Sequence, residues 1–458
     1  MGVRVRTLVP LRSAAAVFFL FILFIVVPYR VGLAQSSANL PAASPAHGPL
    51  LTLKDAVQLA LKQNPGVLIA RLLSLESGRN QQIARSALLP QGSVAANGAI
   101  VQYNIESIEK APKRAAAGPF QYIEAGPSFS QLLLDLPLIR NYQAARESVR
   151  QTLAEESVAH EDVISSVVTQ YLNVLRAFAV YDAAKSRVAL AQRLYDQAVN
   201  LQTTGIGLNI DTTRAEVELQ NEKQTLIDAE TSTHTTIYVL AELLDLPRDQ
   251  EPVVADKLQF FDLPEVDRTA AITSALADRP EIRAQASQER IANLERKSAS
   301  EQRLPEIDFS GFWYYQGANF NNGIPAYLYQ ISFSVPLFTG GRIRAQVAEA
   351  DLEQQRVAQN RHVLEARIIR EVKSAIDEMD AARQAVDVAN LGLQLANDEV
   401  AQAGRRFAAG VTTNVEVITA QDALARANNN QIDALYRFNE SRVNLAQAMG
   451  DVENTYAK

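Results

Sequence analysis

The chain has 458 residues, 47% of them hydrophobic and 21% charged, which is enough for two average domains and too apolar for a disordered polymer. Lysine and arginine total 44 against 51 acidic residues, and a formal charge of −7 without a basic stripe argues against a nucleic-acid partner. Cysteine is absent, so disulfides, thiol catalysis, cysteine-based zinc sites and a lipidated N-terminal cysteine are excluded.

The first residues have the pattern of a secretory signal. Arg4, Arg6 and Arg12 precede an apolar run from Ala14 to Val27, and Gly32–Ala34 supplies the small residues of a cleavage site. The alternative is a membrane anchor, but 14 residues at about 1.5 Å each are shorter than a hydrocarbon core of roughly 30 Å. No later segment approaches about 18 consecutive apolar residues, so we expect no transmembrane helix.

Two copies of one unit follow the signal. Ala56–Val67 is similar to Ala271–Ile282 at a constant offset of 215 residues (271 − 56), and Gly205–Asp211 is similar to Gly410–Glu416 at an offset of 205 (410 − 205). Ordered landmarks that include proline and glycine indicate an internal duplication rather than chance likeness between alanine-rich helices. The predicted segments are a signal peptide (1–34), a flexible linker (35–50), a first repeat (51–250), a connecting segment (251–267), a second repeat (268–450) and a C-terminal tail (451–458).

Long helices dominate each copy. In the first copy, apolar residues recur at alternating spacings of four and three, which indicates a coiled-coil seam, and Val163, Val167 and Val174 mark a second seam beside it. The residues of the first seam are Ile164, Val168, Tyr171, Leu175 and Phe178. A helix with two seams has neighbours on both sides. A ring of such helices closes into a tube, although an ordinary bundle fits the same period.

Helix length favours the tube. Residues 343–408 as one helix would span about 100 Å, which few compact domains accommodate. The predicted helices over 66–88 and 208–245 together approach that length. They are therefore expected to stack end to end beside the long helix predicted over 138–204.

Segments between the helices have the two-residue period of strands. In the last of them, an apolar set that alternates with mostly polar residues is predicted to face lipid, and its members are Tyr327, Tyr329, Ile331, Phe333 and Val335. Residues 306–315 are predicted to be the partner strand. In the first copy, a weaker strand over 94–102 pairs with a segment whose equivalent apolar face would contain Ser130, Leu132, Leu134 and Leu136.

Four strands of about ten residues are long enough to cross an outer membrane when tilted. They are too few to close a barrel, since about eight are needed and an open edge is unstable in lipid, so several chains must contribute. Aromatic residues cluster as in an interfacial girdle at Trp313, Tyr314, Tyr315, Tyr327 and Tyr329. The alternative is a small soluble sheet packed on the helices. The first copy also carries extra residues, which we place in a loop around 104–121.

In this order and in duplicate, the motifs resemble the outer membrane efflux protein family, the TolC-like outer membrane factors of tripartite pumps and type I secretion systems. The resemblance covers about residues 51–450 and is carried by Ala56–Pro65 with its echo Ala271–Pro280, by Val335–Gly341 and by Arg406–Thr412. It implies a mainly α chain with a small β part. The implied assembly is a homotrimer in which twelve strands, four per chain, form an outer-membrane β-barrel continuous with a tunnel of twelve helical columns.

The resemblance also implies partners and a location. The chain would lie in the outer membrane of a Gram-negative-type bacterium, with a long periplasmic extension, as a passive exit duct for small molecules or polypeptides. A periplasmic membrane fusion (adaptor) protein and an inner membrane transporter would complete the system, and outer membrane lipid would surround the barrel. The competing interpretation is a periplasmic coiled-coil scaffold or adaptor that spans no membrane.

Individual residues receive roles from the resemblance. The helical tips, where an adaptor would dock, contain Gly205, Gly207, Arg406, Phe407, Gly410, Val411 and Thr412. Glu416, with Asp211 as its counterpart in the first copy, would lie at the periplasmic aperture, where three copies form an acidic ring that favours cations. An acidic residue in a first helical turn also complements the helix dipole, which is the structural alternative. The strand-to-helix turn contains Pro336, Gly340 and Gly341.

The sequence has no catalytic pattern. His47, His160, His234 and His362 lie singly, without the partners expected of metal ligands or general bases. Phosphate-binding loops, nucleophile elbows and dinucleotide fingerprints do not occur. We therefore predict no enzyme activity, no cofactor and no metal site.

Overall fold

Both repeats contain the same succession of helices. The computed structural model describes residues 47–104, 116–205, 207–261, 266–319 and 321–457; the predicted signal peptide, most of the linker and the middle of the loop around 104–121 lie outside them. The first elements are β1 (His47–Leu51), α1 (Leu53–Gln63), α2 (Pro65–Ser86), β2 (Gln91–Asn104), β3 (Ala116–Leu134), α3 (Leu136–Thr203), α4 (Asn209–Leu243) and β4 (Glu251–Val254). The others are α5 (Arg268–Asp278), α6 (Pro280–Glu301), β5 (Glu306–Gly317), β6 (Ile324–Ser334), α7 (Arg342–Ala408), α8 (Asn414–Met449) and α9 (Val452–Tyr456).

Helix lengths confirm the duplication. The four helices of the first repeat have 11, 22, 68 and 35 residues, and those of the second have 11, 22, 67 and 36. The long helices begin and end within a few residues of their predicted bounds. At about 1.5 Å per residue, the 68 residues of α3 extend roughly 100 Å.

Local signals set the corner between α1 and α2. Thr52 and Asp55 form a capping box at the start of α1, and the Asn64 side chain accepts a hydrogen bond from the Gly66 amide at the start of α2 (2.8 Å). Asn64 Nδ2 also donates to the Leu243 carbonyl at the end of α4 (2.8 Å). This bond joins the start of α2 to the end of α4.

The helices form four columns side by side. α3 contacts α2 and α4 along one side and α6 and α8 along the other, and α7 packs on α6 and α8. The columns are therefore α2 with α4, then α3, then α6 with α8, then α7. The predicted stacking of two shorter helices beside a long one is confirmed in both repeats.

The main core lies midway along α3. Ile164, Val167, Val168 and Val174, which belong to the two predicted seams, are fully enclosed by α1, α4, α8 and α9, whereas Phe178 is exposed. Among the described residues, α3 is the one helix with an 18-residue window apolar enough to cross a membrane by length and hydropathy. That window is 44% buried within the chain, and the apolar surface of α3 is used for packing on both sides.

The strands β2, β3, β5 and β6 form one antiparallel sheet in that order, and β1 pairs with β4 in a separate parallel pair. Within the described chain, the outer edges of β2 and β6 have no partner strand, and no helix packs across either face of the sheet. The soluble alternative, a small sheet covered by the helices, is therefore not what the chain forms.

The ends of β3 and β6 correct two predictions. β3 has 19 residues rather than about ten, and it ends at Leu134 because the Asp135 side chain accepts a hydrogen bond from the Leu138 amide (2.9 Å) and caps α3. Leu136 therefore belongs to a helix and not to a strand. Val335, predicted in the last strand, follows the end of β6.

The faces of β3 also differ from the prediction. Ser130 pairs directly with Ser310, which in turn pairs with Gln330 of β6. Ser130 therefore lies on the side of the sheet opposite to Tyr329 and Ile331, and Leu132 lies on the same side as Ser130. A bulge after Leu132 moves Leu134 to the opposite side, where it pairs with Ile307. The prediction places all of these β3 residues on the apolar face by analogy with the alternating set of β6. It is wrong for Ser130 and Leu132, whose register with β5 differs from the expected one, whereas the bulge brings Leu134 onto the predicted face.

Candidate functional site

The register of the sheet separates an apolar face from a polar face. Phe309 pairs with Ile331 and Trp313 with Tyr327, and directly paired residues point to the same side, here called the apolar face. Four of the residues predicted to face lipid lie on it and are 62–70% exposed: Tyr327, Tyr329, Ile331 and Phe333. The fifth, Val335, lies just beyond the strand.

The opposite, polar face carries hydrogen-bonding side chains. Asn97 and Gln316 donate to the two carboxylate oxygens of Glu124 (3.0 and 3.1 Å), which links three strands. Phe312 and Tyr314 stack on this face and are exceptions to its polarity. An apolar face on one side and a polar face on the other is the pattern of a transmembrane β-barrel with a water-filled lumen.

The two passages from strand to helix differ in length. Asp135 alone joins β3 to α3, whereas the seven residues 335–341 join β6 to α7. Pro336 lies near the start of this segment. Gly340 and Gly341 end it with φ values of 60° and 86°, a region open to glycine and unfavourable for other residues, and so turn the chain into α7.

The first helical tip joins α3 to α4. Gly205 takes a φ of 76° after the end of α3, as glycine does at helix C-termini, and its amide donates to the Gln202 carbonyl (3.0 Å). The Gly207 amide donates to the Leu201 carbonyl (2.8 Å), and a Cβ on Gly207 would lie 2.8 Å from the Gln202 nitrogen. Close backbone approach therefore requires glycine at 207.

The second tip joins α7 to α8. Gly410 has a φ of 66°, and the amides of Gly410 and Val411 donate to the carbonyls of Phe407 and Arg406 (both 3.0 Å), which closes the end of α7. Val411 is exposed, but Phe407 is only 5% exposed and belongs to a core cluster with Leu194 of α3. The Phe407 ring supports the tip from inside and presents no surface of its own.

The two predicted aperture carboxylates are each engaged within their own tip. Arg406 Nε lies 3.4 Å from Glu416 Oε1, and the Thr412 hydroxyl donates to the other carboxylate oxygen. In the first turn of α4, Arg214 Nη1 lies 3.7 Å from Asp211 Oδ1. An arginine therefore partly neutralises each carboxylate. The motif singled out Arg406 but gave no sign of its ionic partner.

One buried amide, which the sequence motifs did not reveal, connects the two tips. Asn414 follows the N-cap residue Thr413, is fully buried, and donates from Nδ2 to the Asp211 carbonyl (2.7 Å). Its Oδ1 is buried without a hydrogen-bond partner among the described residues. The equivalent Asn209 is exposed and accepts a hydrogen bond from Gln202 (3.1 Å). The second tip is thus tied to the first through a side chain.

A charged cluster lies where α3 meets the start of α6. Burial of Glu161, together with the nearby charge of Glu281, raises the pKa of the Glu161 carboxyl to about 7 against the opposing effects of Arg279 and Arg283. Arg279 is itself buried and pairs with Glu281 (2.6 Å) and Glu371 (2.7 Å). These pairs place unlike and like charges together at the contact between the two repeats.

Known proteins resemble the chain in both sequence and fold. The family model described as Outer membrane efflux protein matches residues 56–245 and 271–451, well over half of the chain. The chain is 25% identical to the outer membrane protein TolC of Vibrio cholerae, over 80% of its own length and 83% of that protein. It is 24% identical to the alkaline protease secretion protein AprF of Pseudomonas aeruginosa, over 85% and 82%.

Among solved structures, the CmeC outer membrane channel of Campylobacter jejuni has the same fold, with a TM-score of 0.78 at 19% sequence identity, covering 87% of this chain and 85% of that one. The two segments matched by the family model coincide with the two repeats described above. The competing interpretation as a scaffold that spans no membrane is therefore wrong. The chain belongs to the outer membrane efflux protein family and is a non-enzymatic outer membrane efflux channel with a periplasmic helical extension.

Proposed function

We propose that three copies of this chain assemble into one channel, with their sheets joined into a twelve-stranded barrel and their columns into a tunnel of twelve. The homotrimer is a passive exit duct for small molecules or polypeptides. An inner membrane transporter supplies the cargo and the driving force, and a periplasmic adaptor protein docks at the helical tips.

The observation that carries this proposal is the four-stranded sheet with two unpaired edges and no covering helix. Four strands cannot close a barrel, and hydrocarbon does not tolerate unpaired backbone, so β6 of one copy pairs with β2 of the next. A head-to-tail contact of this kind produces a ring when the rotation closes. Both outer columns support it with exposed apolar side chains: Ile69, Leu72 and Ile83 on α2, Val217 and Ile227 on α4, and Leu352, Val363, Val388, Leu391 and Leu395 on α7.

The adaptor contact is assigned to the two tips. Gly205 and Gly410 have no side chains that would obstruct a docked protein, and the exposed Val411 offers a small apolar contact to the adaptor. The tip residues named above complete the surface, except that Phe407 acts by holding the second turn in shape.

The aperture is assigned to Glu416 and Asp211, repeated three times around the channel axis. Because Arg406 pairs with Glu416, Arg406→Gln should increase the cation preference of single channels, and Glu416→Gln should decrease it. The reversal potential in a KCl gradient across a planar bilayer measures both. If neither substitution moves the reversal potential, the aperture lies elsewhere.

Oligomeric state tests the assembly itself. Light scattering of the purified protein in detergent should give three times the chain mass, and the same material should form ion-conducting pores in planar bilayers. A monomer that stays in solution without detergent would overturn the proposal.

A further inference from the structure

The apolar face of the sheet reaches only one of the two membrane interfaces. Trp313 and Tyr327 pair near the β5–β6 loop and form an aromatic row of the interfacial kind. Phe333 lies six residues farther along β6, about 20 Å along the strand and roughly 15 Å along the membrane normal at a tilt of about 40°. The apolar band of a transmembrane barrel is about 25 Å tall. The periplasmic interface therefore lies beyond the end of β6.

The segment beyond β6 carries the two most exposed large apolar side chains of the described residues. Leu337 is 93% exposed and Phe338 is 91% exposed. Because the strands are antiparallel, the starts of β2 and β5 lie at the same end of the sheet as the end of β6. Leu89 and Leu304, which precede those two strands, are exposed as well. Exposed apolar side chains thus occur at three chain junctions at this end of the sheet.

Exposed arginines lie close to these apolar residues in the sequence. Arg303 precedes β5, and Arg342 and Arg344 begin α7. Arg342 makes hydrogen bonds to two neutral glutamine side chains (2.8 and 3.0 Å), and the nearby Glu301 is already paired with Arg140 (2.9 Å). Guanidinium groups in such a position suit phosphate oxygens, which they bind in a bidentate manner.

We propose that residues 335–344 form a membrane anchor on the periplasmic side of the channel. Leu337 and Phe338 insert among the acyl chains of the periplasmic leaflet of the outer membrane. Arg303, Arg342 and Arg344 bind phosphates of the phospholipids in that leaflet. The proposal rests on the barrel proposed above for the tilt of the strands. Continuity with the apolar face and the flanking positive charge identify the occupant as a phospholipid surface rather than a neighbouring copy. The seven-residue link gives these side chains the reach that the single-residue link at Asp135 lacks.

Tryptophan fluorescence tests the insertion, because Trp313 is the one tryptophan of the chain. In a Trp313→Phe background, Phe338→Trp reports on the anchor and Val411→Trp, at the exposed second tip, is the matched control. The full protein is reconstituted in phosphatidylethanolamine and phosphatidylglycerol vesicles that contain lipids brominated near the headgroup or near the chain end. We expect the tryptophan of Phe338→Trp to lose most of its fluorescence to shallow bromine and less to deep bromine, and that of Val411→Trp to lose none.

The alternatives give different results. Blue-shifted emission from Phe338→Trp that no brominated lipid quenches would overturn the anchor in favour of cover by a neighbouring copy, and red-shifted unquenched emission would place the loop in water. Failure of the barrel itself would appear separately, as unquenched Trp313 in the unsubstituted protein.

The binding of phosphate by the arginines is tested separately. The double substitution Arg303→Gln and Arg344→Gln should reduce the increase in Tm that phosphatidylglycerol gives the reconstituted protein. An unchanged gain would overturn phosphate binding.

Discussion

The first helical tip is fixed by close backbone contact, whereas the second uses polar side chains at the same positions. Gly207 has no room for a Cβ beside Gln202, so the first turn admits one residue type. At the equivalent position of the second turn, the Thr412 hydroxyl donates a hydrogen bond to the Glu416 carboxylate, which also pairs with Arg406. Of the two equivalent tips, the first is therefore fixed by close backbone packing and the second by a hydrogen bond and an ion pair between side chains.

The same contrast recurs one turn further along the chain. Asn209 is exposed in the first copy, while the equivalent Asn414 is buried and donates to the Asp211 carbonyl of the other tip. Asn414 Oδ1 has no hydrogen-bond partner among the residues that the structure describes, which makes this link weaker than a fully satisfied buried amide. Asn209 and Asn414 are therefore equivalent by duplication, but it is Asn414 that connects the two hairpins.

The largest expected effect comes from Asn414→Asp. A carboxylate at this buried position faces the Asp211 carbonyl instead of donating to it, and we expect a loss of about 3 kcal/mol in stability of the paired tips. Hydrogen exchange in the first turns of α4 and α8 measures it. Asn209→Asp is the matched control and should change exchange little because that side chain is exposed. Equal effects from the two substitutions would remove the contrast between the tips.

Gly207→Val should have the next largest effect. The new Cβ meets backbone atoms of α3, so the first tip must unwind at a cost of about 2 kcal/mol. Faster hydrogen exchange at the end of α3, with unchanged exchange in α7, is the expected result. Thr412→Ser at the equivalent position of the second tip is the control, since it keeps the hydroxyl that bonds to Glu416 and introduces no clash. A first tip as protected as in the unsubstituted protein would show that its shape is not the constraint.

A charge present in one copy alone distinguishes the repeats by pH. Glu161 is half-buried with a pKa of about 7, above its ordinary 4.5, whereas the equivalent position of the second copy holds the exposed Ala366. A raised pKa means that the folded chain binds the proton more tightly, so this stabilisation is complete below pH 4.5 and is lost as the pH rises through 7.

Glu161→Gln keeps the neutral state at every pH. We expect it to raise the stability by about 1 kcal/mol at pH 8, after allowance for solvent screening, and to leave it unchanged near pH 4.5. Thermal unfolding at both pH values measures the difference. An equal increase in stability at pH 8 and at pH 4.5 would show that removal of the Glu161 charge is not the cause of the increase.

The smallest effect is expected from Arg406→Gln. The Arg406 and Glu416 side chains are both substantially exposed, so breaking their pair should cost less than about 0.5 kcal/mol. Thermal unfolding should therefore be nearly unchanged, even though the reversal potential of single channels moves. A loss of stability as large as that from Gly207→Val would contradict this expectation. It would mean that the Arg406–Glu416 pair matters as much to the second tip as the close backbone packing at Gly207 matters to the first.

The helical part of the fold could be predicted because its signals are local and occur twice. Seam residues of α3 recur at regular spacing, and proline and glycine mark the corners and tips in both copies. In the sheet, β6 has an equally clear pattern, the two-residue alternation of a strand. β3 does not, because the bulge after Leu132 and the helix cap at Asp135 break the alternation that the sequence was expected to continue.

The chemistry of the tips was less accessible to sequence. The turn glycines follow from the motif, but the partner of each polar side chain depends on how separate elements meet. Asn414 and Asp211 lie about two hundred positions apart, and no periodic pattern links them. The burial of Phe407 likewise results from its packing on α3, which a motif defined along α7 does not contain.

The helices α3 and α7 have nearly equal lengths, 68 and 67 residues, and this match limits which insertions and deletions the chain can accept. Each added or lost residue would move one tip by about 1.5 Å along the axis and turn it by about 100°. An insertion in one copy alone would therefore leave the two hairpin tips at different heights along the axis. The two helices together therefore determine how far the hairpin tips extend into the periplasm, and a shorter channel would have to shorten both together, in whole heptads.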